Sequence, residues 1–301
     1  MIARMIGNDG LVKFTKGHGT GNDFVILADP DGELPLTAAL VAALCDRRRG
    51  IGADGVLRVI RAAKHPVGAA YATDAEWFMD YWNADGSLPE MCGNGVRVFT
   101  RYLLNSGRAE PVDGCLPIAT RAGVVRAVVG PATAGHAVVA HQEISVDLGA
   151  PRRYGESAAT VGGLTLPGTA VDCGNPHLVC SLPAGVELSA LDLSRAPGFD
   201  AAMFPAGVNV EFVTPGEPVA GADLHVRMRV YERGSAETLS CGSGAVAVAA
   251  VALHDAGLPA GVVAIDVPGG RLTVTLDGER CWLAGPAVLV AEGTLDPTSL
   301  T

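Results

Sequence analysis

The sequence predicts an α/β chain of the α+β kind: two pseudo-symmetric domains, each of mainly antiparallel strands wrapped around one central apolar helix. Three observations carry that expectation. Short runs that alternate apolar and polar residues recur along the chain, punctuated by glycine, as half-buried antiparallel strands are. Few helical patterns interrupt them. Two of those patterns open on the same Cys-Gly-x-Gly turn, once in each half.

Taken in order, "VKFTKG", "DFVILAD", "DGVLRVI" and "WFMDYWN" read as strands, followed by "VVRAVVG" and "AVVAHQEISVDLG". Between them, "LTAALVAALCDRRR" from Leu36 has helical periodicity, with Thr37 as N-cap and basic residues in its last turn. The stretch "RAAKHPVGAAYATDAEW" from Arg61 reads as a surface insertion in a hairpin. The second half continues with "HLVCSL", "VNVEFVT", "LHVRMRVYE", "VVAIDVPGG", "RLTVTL" and "AVLVAEG". The run "GAVAVAAVALHDAG" from Gly244 is too short for the ~18 apolar residues of a membrane span and reads as a helix buried on all sides.

The halves repeat one plan. "NADGSLPEMCGNGVRVFTRYLLNSG" matches "ERGSAETLSCGSGAVAVAAVALHDAG": Asn83 precedes Cys92 by nine positions, as Glu232 precedes Cys241. Each helix ends at a glycine, Gly107 or Gly257, where a left-handed residue is expected. Downstream, "IATRAGVVRAVV" matches "IDVPGGRLTVTL" as a hairpin; upstream, "TGNDFVIL" is matched to "GVNVEFVT". The halves are placed at 1–147 with 286–301, and at 148–285, with the ligand site expected in the cleft between them.

Of 301 residues, 49% are hydrophobic and 18% charged, a globular composition able to bury a large core. A formal charge of −10 argues against nucleic acid and against anionic membranes. "MIARMIGNDG" has no secretory pattern, and seven irregularly spaced cysteines suit neither a disulfide framework nor a zinc site. Reduced thiols point to the cytoplasm.

Backbone N–H groups at a helix start lack intrahelical partners and, with the helix dipole, favour anions. Glycine beside each cysteine lets backbone approach a ligand, and such a position lowers a thiol's pKa. One such turn suggests a nucleophile. Two pseudo-symmetric ones suggest thiols flanking one carbon, one removing a proton as thiolate while the other delivers one as thiol, with no cofactor. The plain alternative is that duplication kept a turn residue. Cys45, Cys115, Cys173, Cys180 and Cys281 read as packing, with a minor weight on Cys173 and Cys180 beside "GNPH".

The segments "HGTGNDFV", "NADGS…EMCGNG", "GNPH" and "VYERGSAETLSCGSG" resemble diaminopimelate epimerases, in the same order and from about Lys13 to Leu295. Proline racemases and phenazine-type isomerases share the duplicated plan. The racemases usually carry histidine where this chain has Asn94, and lack "NADGS" and "YERG". The resemblance implies interconversion of LL- and meso-diaminopimelate at one α-carbon without pyridoxal phosphate or metal, serving lysine and peptidoglycan-precursor synthesis, in a homodimer. It implies Cys92 and Cys241 as acid/base thiols, Cys92 being the base for the LL isomer, and His177 and Glu232 as groups that tune them. Substrate contacts would fall on Asn22, Asn83, Gly93, Asn94, Asn175, Asn209, Glu232, Arg233, Gly242 and Ser243. Arg233 suits a carboxylate fork, and helix N-termini suit the other carboxylate.

Structural alternatives stand beside these: a turn role for each asparagine, a backbone-capped His177, an ion pair of Glu232 with Arg229 or Arg233, and a solvated Arg233. Gly55 stands where some relatives carry a glutamine contact, which is therefore not transferred. Competing functions are a proline or hydroxyproline racemase, a non-catalytic amino-acid-binding relative, and a thiol hydrolase using Cys92 with His177.

Overall fold

The computed structural model describes residues 11–130, 143–278 and 280–300. The N-terminal stretch "MIARMIGNDG" lies outside them, as do residues 137–142 of the strand candidate "AVVAHQEISVDLG". The chain divides into two compact units, Met1–Val146 with Pro286–Thr301, and Asp147–Gly285. It is mixed α/β, mostly strands, with three α-helices among the described residues.

In the first unit, β1 (Val12–Gly19) and β2 (Asn22–Ala28) form a hairpin. Its two-residue turn, Thr20-Gly21, holds φ at 50° and 80°, the left-handed pair that matches strand twist. The turn delivers Asn22 as the first residue of β2. Next come β3 (Gly55–Arg61), β4 (Trp77–Asn83), β5 (Cys115–Thr120), β6 (Gly123–Val129) and β7 (Ile144–Asp147). The strand β17 (Val288–Leu295) adds to β1. Neighbouring pairs from β17 to β7 run antiparallel, antiparallel, parallel, antiparallel, parallel, antiparallel, antiparallel. The helix α2 (Gly93–Asn105) packs against β1 to β6 and β17.

The second unit repeats that pairing order. Its strands are β8 (Arg152–Val161), β9 (Leu164–Asp172), β10 (Pro176–Ser181), β11 (Asn209–Pro215), β12 (Leu224–Glu232), β14 (Gly261–Val267), β15 (Gly270–Leu276) and β16 (Cys281–Gly285). They follow the same sequence of antiparallel and parallel neighbours. A short β13 (Ala236–Thr238) folds back on β12. The helix α3 (Gly242–Asp255) is sheathed by β9 to β12 and β14 to β16. Its Ala245, Val246, Ala247, Val248 and Ala249 are all within 1% of full burial, the cost of an all-apolar helix met by a complete wrap.

Four sequence expectations change. The pairing order aligns "TGNDFVIL" with "CGNPHLVC", not with "GVNVEFVT": β2 takes the place of β10, and β3 that of β11. Asn22 is therefore the counterpart of Asn175, Phe24 of His177, Gly55 of Asn209 and Leu57 of Glu211. The first-half helix is not apolar, because Arg97 and Arg101 of α2 are 0% and 1% exposed. The helix α1 (Ala38–Cys45) keeps its Thr37 cap, which accepts from Leu40 N, but has no basic residue in its last turn. It stops at Asp46, whose carboxylate takes the N–H groups of Arg48 and Arg49 at 2.8 Å each, a local turn that outcompetes another helical turn. The insertion from Arg61 is not merely superficial: Ala62 and Ala75 are buried with Ile60, Phe78 and Ala119, and His65 stacks on Phe78 at 4.1 Å. The hairpin β8–β9 and the strands β13 and β16 were not read from the sequence.

Candidate active site

Both cysteine turns are N-caps. Cys92 precedes α2 in extended conformation (φ −143°, ψ 117°), and its sulfur accepts the Gly95 N–H at 3.4 Å. Cys241 does the same before α3 (φ −119°, ψ 117°), accepting from Gly244 N at 3.4 Å. Sulfur thus fills the position where serine, threonine or aspartate usually serves. The first-turn N–H groups of a helix have no intrahelical partner.

Around Cys92 the first unit builds an amide relay. The Cys92 thiol donates to Asn22 Oδ1 at 3.6 Å, and Asn94 Nδ2 donates to the same oxygen at 3.3 Å. Asn22 Nδ2 donates to Asp54 Oδ2 at 2.9 Å. At the other end, Arg97 Nη2 donates to Asn94 Oδ1 at 2.7 Å, while its guanidinium also reaches Thr20 Oγ1 and Gly93 O. Burial draws the Arg97 guanidinium down to about 10, against the pull of Cys92 and Glu143. An acceptor-only carboxylate and a donor-only guanidinium therefore fix both amides. Asn83 is engaged elsewhere, accepting from Tyr81 Oη at 2.7 Å and donating to Ser87 Oγ at 2.9 Å. Gly55 leaves no room for a side chain: a β-carbon would lie 2.4 Å from Trp82 O and 2.7 Å from Tyr81 Cε2.

The second unit surrounds Cys241 differently. His177 and Glu211 are both 0% exposed, with Nδ1 2.7 Å from Oε1, and His177 Nε2 lies 3.0 Å from Asn175 Oδ1. Glu232 Oε1 accepts from Thr238 Oγ1. Burial pushes the Glu232 carboxyl up, opposed by bonds from Thr238 and Cys241. The thiol of Cys241 is pushed well above its ordinary value by burial, then by Glu232 and Glu211, against Gly244 N–H and Ser243. Its position at a helix start does not lower its pKa, contrary to the sequence-based expectation: removal from water and two nearby carboxyl groups outweigh a helix N-terminus. Ser243 Oγ is 3.7 Å from the sulfur.

Asn209 Oδ1 accepts the Arg233 backbone N–H at 2.8 Å, and Arg233 Nη1 donates to Ala206 O at 3.0 Å. No carboxylate among the described residues pairs with Arg233, while Arg229 is held by Glu237. The ion pairs considered for Glu232 are therefore not formed. Burial pushes Cys45, Cys180 and Cys281 up to about 12, and pushes Cys173 up further, in keeping with packing roles.

Sequence reasoning missed Glu211, Thr238, Asp54 and Arg97. A signal existed for Glu211, a lone acid in the apolar run "VNVEFV", and for Arg97, a cation inside "GVRVF". Among the described residues no three His, Cys, Asp or Glu side chains are grouped to hold a metal ion, and no helix is long and apolar enough to cross a membrane.

The model of the diaminopimelate epimerase family matches residues 14–151 and 169–290. The chain is 49% identical over 297 residues to the diaminopimelate epimerase of Rhodococcus opacus (strain B4), covering 94% of this chain and 96% of that one. It is 50% identical over 293 residues to that of Mycobacterium tuberculosis (strain ATCC 25618 / H37Rv), with the same coverage. Among solved structures, a PhzF-family phenazine biosynthesis protein of Bacillus anthracis superposes with TM-score 0.67 at 17% identity, covering 95% of this chain and 99% of that one. A hydroxyproline epimerase from Agrobacterium vitis gives 0.64 at 16% identity, with 95% and 93% covered. Identities that low carry the fold alone.

Proposed function

Because the chain belongs to the diaminopimelate epimerase family, we propose that it interconverts LL- and meso-2,6-diaminopimelate by a two-thiol proton exchange. The observation that carries the mechanism is the matched pair of N-capping cysteines, each receiving a first-turn N–H at 3.4 Å. One thiol takes the α-proton as thiolate while the other delivers a proton to the opposite face, which inverts the centre. The helix-start N–H groups at Gly93, Asn94, Gly242 and Ser243 would hold the α-carboxylate and the charge that develops on the carbanion.

The remaining roles follow from chemistry. Arg233, with no carboxylate partner among the described residues, suits a fork to the distal carboxylate. Asn22, Asn83, Asn175 and Asn209 supply neutral amide donors and acceptors for the ammonium and carboxylate groups, avoiding further buried charge. Glu232 and His177 tune the second thiol. The burial of Cys241 and its neighbouring carboxyl groups support Cys241 as the protonated partner and Cys92 as base for the LL isomer. The enzyme would act as a cytoplasmic homodimer in lysine and peptidoglycan-precursor synthesis, with no pyridoxal cofactor.

The test is incubation with LL-diaminopimelate in heavy water. Epimerisation should proceed with deuterium incorporated at the inverted α-carbon. Absence of both exchange and inversion at high enzyme concentration would falsify the proposal.

A further inference from the structure

The two units are built on one strand order, and this makes a direct internal comparison possible. At the equivalent slot behind the helix start, the first unit holds Phe24 and Leu57, and the second holds His177 and Glu211. All four side chains are at most 0% exposed. An apolar pair therefore fills this slot without any charge to desolvate. A buried ionic pair is seldom worth more than apolar residues of like volume, so its presence in the second unit has a reason other than packing.

Hydrogen bonding supplies the reason. His177 is flanked by oxygens on both sides, Glu211 Oε1 at 2.7 Å from Nδ1 and Asn175 Oδ1 at 3.0 Å from Nε2. The pair can be written as carboxylate and imidazolium, as carboxylic acid and Nε2-protonated imidazole, or as carboxylate and Nδ1-protonated imidazole, which alone leaves Nε2 bare. The first two place one proton between Oε1 and Nδ1 and one on Nε2 and are neutral overall, which full burial of both side chains and the raised Glu211 carboxyl favour over the charged third form. In the neutral forms Nε2 donates, and Asn175 turns Oδ1 to the ring, the orientation it has here. Its Nδ2 is then the end left for a ligand, and it has no partner among the described residues.

The equivalent amide in the first unit is turned the other way. Asn22 gives Nδ2 to Asp54 Oδ2 and shows Oδ1 towards Cys92 and Asn94. One asparagine of the matched pair thus presents an acceptor and the other a donor. We propose that Glu211 is a positioning residue: acting through His177, it fixes the polarity of Asn175, so that the two related asparagines recognise unlike groups of one substrate. The inference rests on the epimerase reading for the identity of that substrate. The groups facing the Glu211 carboxyl are His177 from β10, Glu232 from β12, Cys241 at the start of α3, and the thiols of Cys173 and Cys180.

The test uses the full chain with 15N-labelled histidine. In the unaltered protein the His177 Nε2 resonance should be that of an N–H nitrogen, because Asn175 turns an oxygen to it. Glu211→Gln keeps size and shape but can donate or accept. Both ring tautomers then mix, and the Nε2 resonance moves part-way to that of a bare nitrogen. The value of kcat/KM for diaminopimelate should fall roughly tenfold, chiefly through KM, the worth of one charge-assisted hydrogen bond. Combined with Asn175→Ala, Glu211→Gln should add no further loss, because both changes act through one amide. A bare Nε2 in the unaltered protein, an unchanged kcat/KM in Glu211→Gln, or additive losses would each overturn the inference. Absence of epimerisation by the unaltered protein would instead remove the substrate assignment, and the ring-nitrogen measurement would still decide the proton's place.

Discussion

The carboxylate of Glu211 rests on the α-carbon of Gly244: a β-carbon built at 244 would lie 2.6 Å from Oε1 and 3.2 Å from Cδ. At the matching place in the first unit, a β-carbon on Gly95 meets Leu57 Cδ2 and Cys92 Cβ at 3.4 Å and Cys92 Sγ at 3.7 Å. The second glycine of "CGSG" is thus required by a buried acid, whereas that of "CGNG" is in ordinary contact.

Gly244→Ala should therefore destabilise the protein by about 1–3 kcal/mol through overpacking. Gly95→Ala should be neutral to mildly stabilising, by up to about 1 kcal/mol, from helix propensity. Denaturant midpoints of the two variants measure the contrast, and equal losses would contradict it.

The two thiols should differ in reactivity. Cys92 is half-buried and Cys241 is 5% exposed, with its thiol pushed up by burial, Glu232 and Glu211. At neutral pH, iodoacetamide should label Cys92 at least roughly tenfold faster than Cys241, as read by peptide mapping, since the thiolate is the reacting form. Glu232→Gln removes a nearby negative charge, lowers the Cys241 pKa and should speed its labelling.

Replacing either thiol should stop the reaction without unfolding the chain. Cys92→Ala and Cys241→Ala are expected to lose turnover by at least about a hundredfold, the lower end of general acid–base contributions, with unchanged far-ultraviolet circular dichroism. Robust turnover in either would contradict the two-thiol scheme.

Stability at low pH should depend on Asp23. Burial alone would raise its pKa, but hydrogen bonds from Arg47 and Lys16 outweigh this and hold it at about 2. The folded value lies below the ordinary one, so the carboxylate contributes stability above pH ~4 that is lost as pH falls towards ~2. Asp23→Asn should lower Tm at neutral pH, and the two melting curves should converge between about pH 4 and pH 2.

Removing the buried guanidinium should be costly. Arg97→Met leaves Asn94 Oδ1 without its 2.7 Å donor and should cost about 1.5–3 kcal/mol, the range for hydrogen bonds to charged groups. Arg97→Lys should recover part of the loss, as followed by denaturant titration.

Much of this was legible because it is local. The Cys-Gly-x-Gly turns, the helices they open, and their glycine ends depend on residues within one helical turn, and Gly107 and Gly257 hold φ at 63° and 71°. The Thr37 cap was readable for the same reason. Where two local options competed, as at Asp46, the sequence alone favoured the longer helix and was wrong.

The sequence by itself determined the duplication, the paired cysteine caps and the apolar helix α3, since each is written in short-range pattern. Tertiary structure decided the rest. Parallel neighbours bring together residues far apart in the chain, so His177 meets Glu211 34 residues on, and only the strand order reveals which residues of the two units correspond. It also reversed the expected proton affinity of Cys241. A helix N-terminus can be read from a sequence, but the burial and the two carboxyl groups that outweigh it exist only once the strands have closed around the thiol.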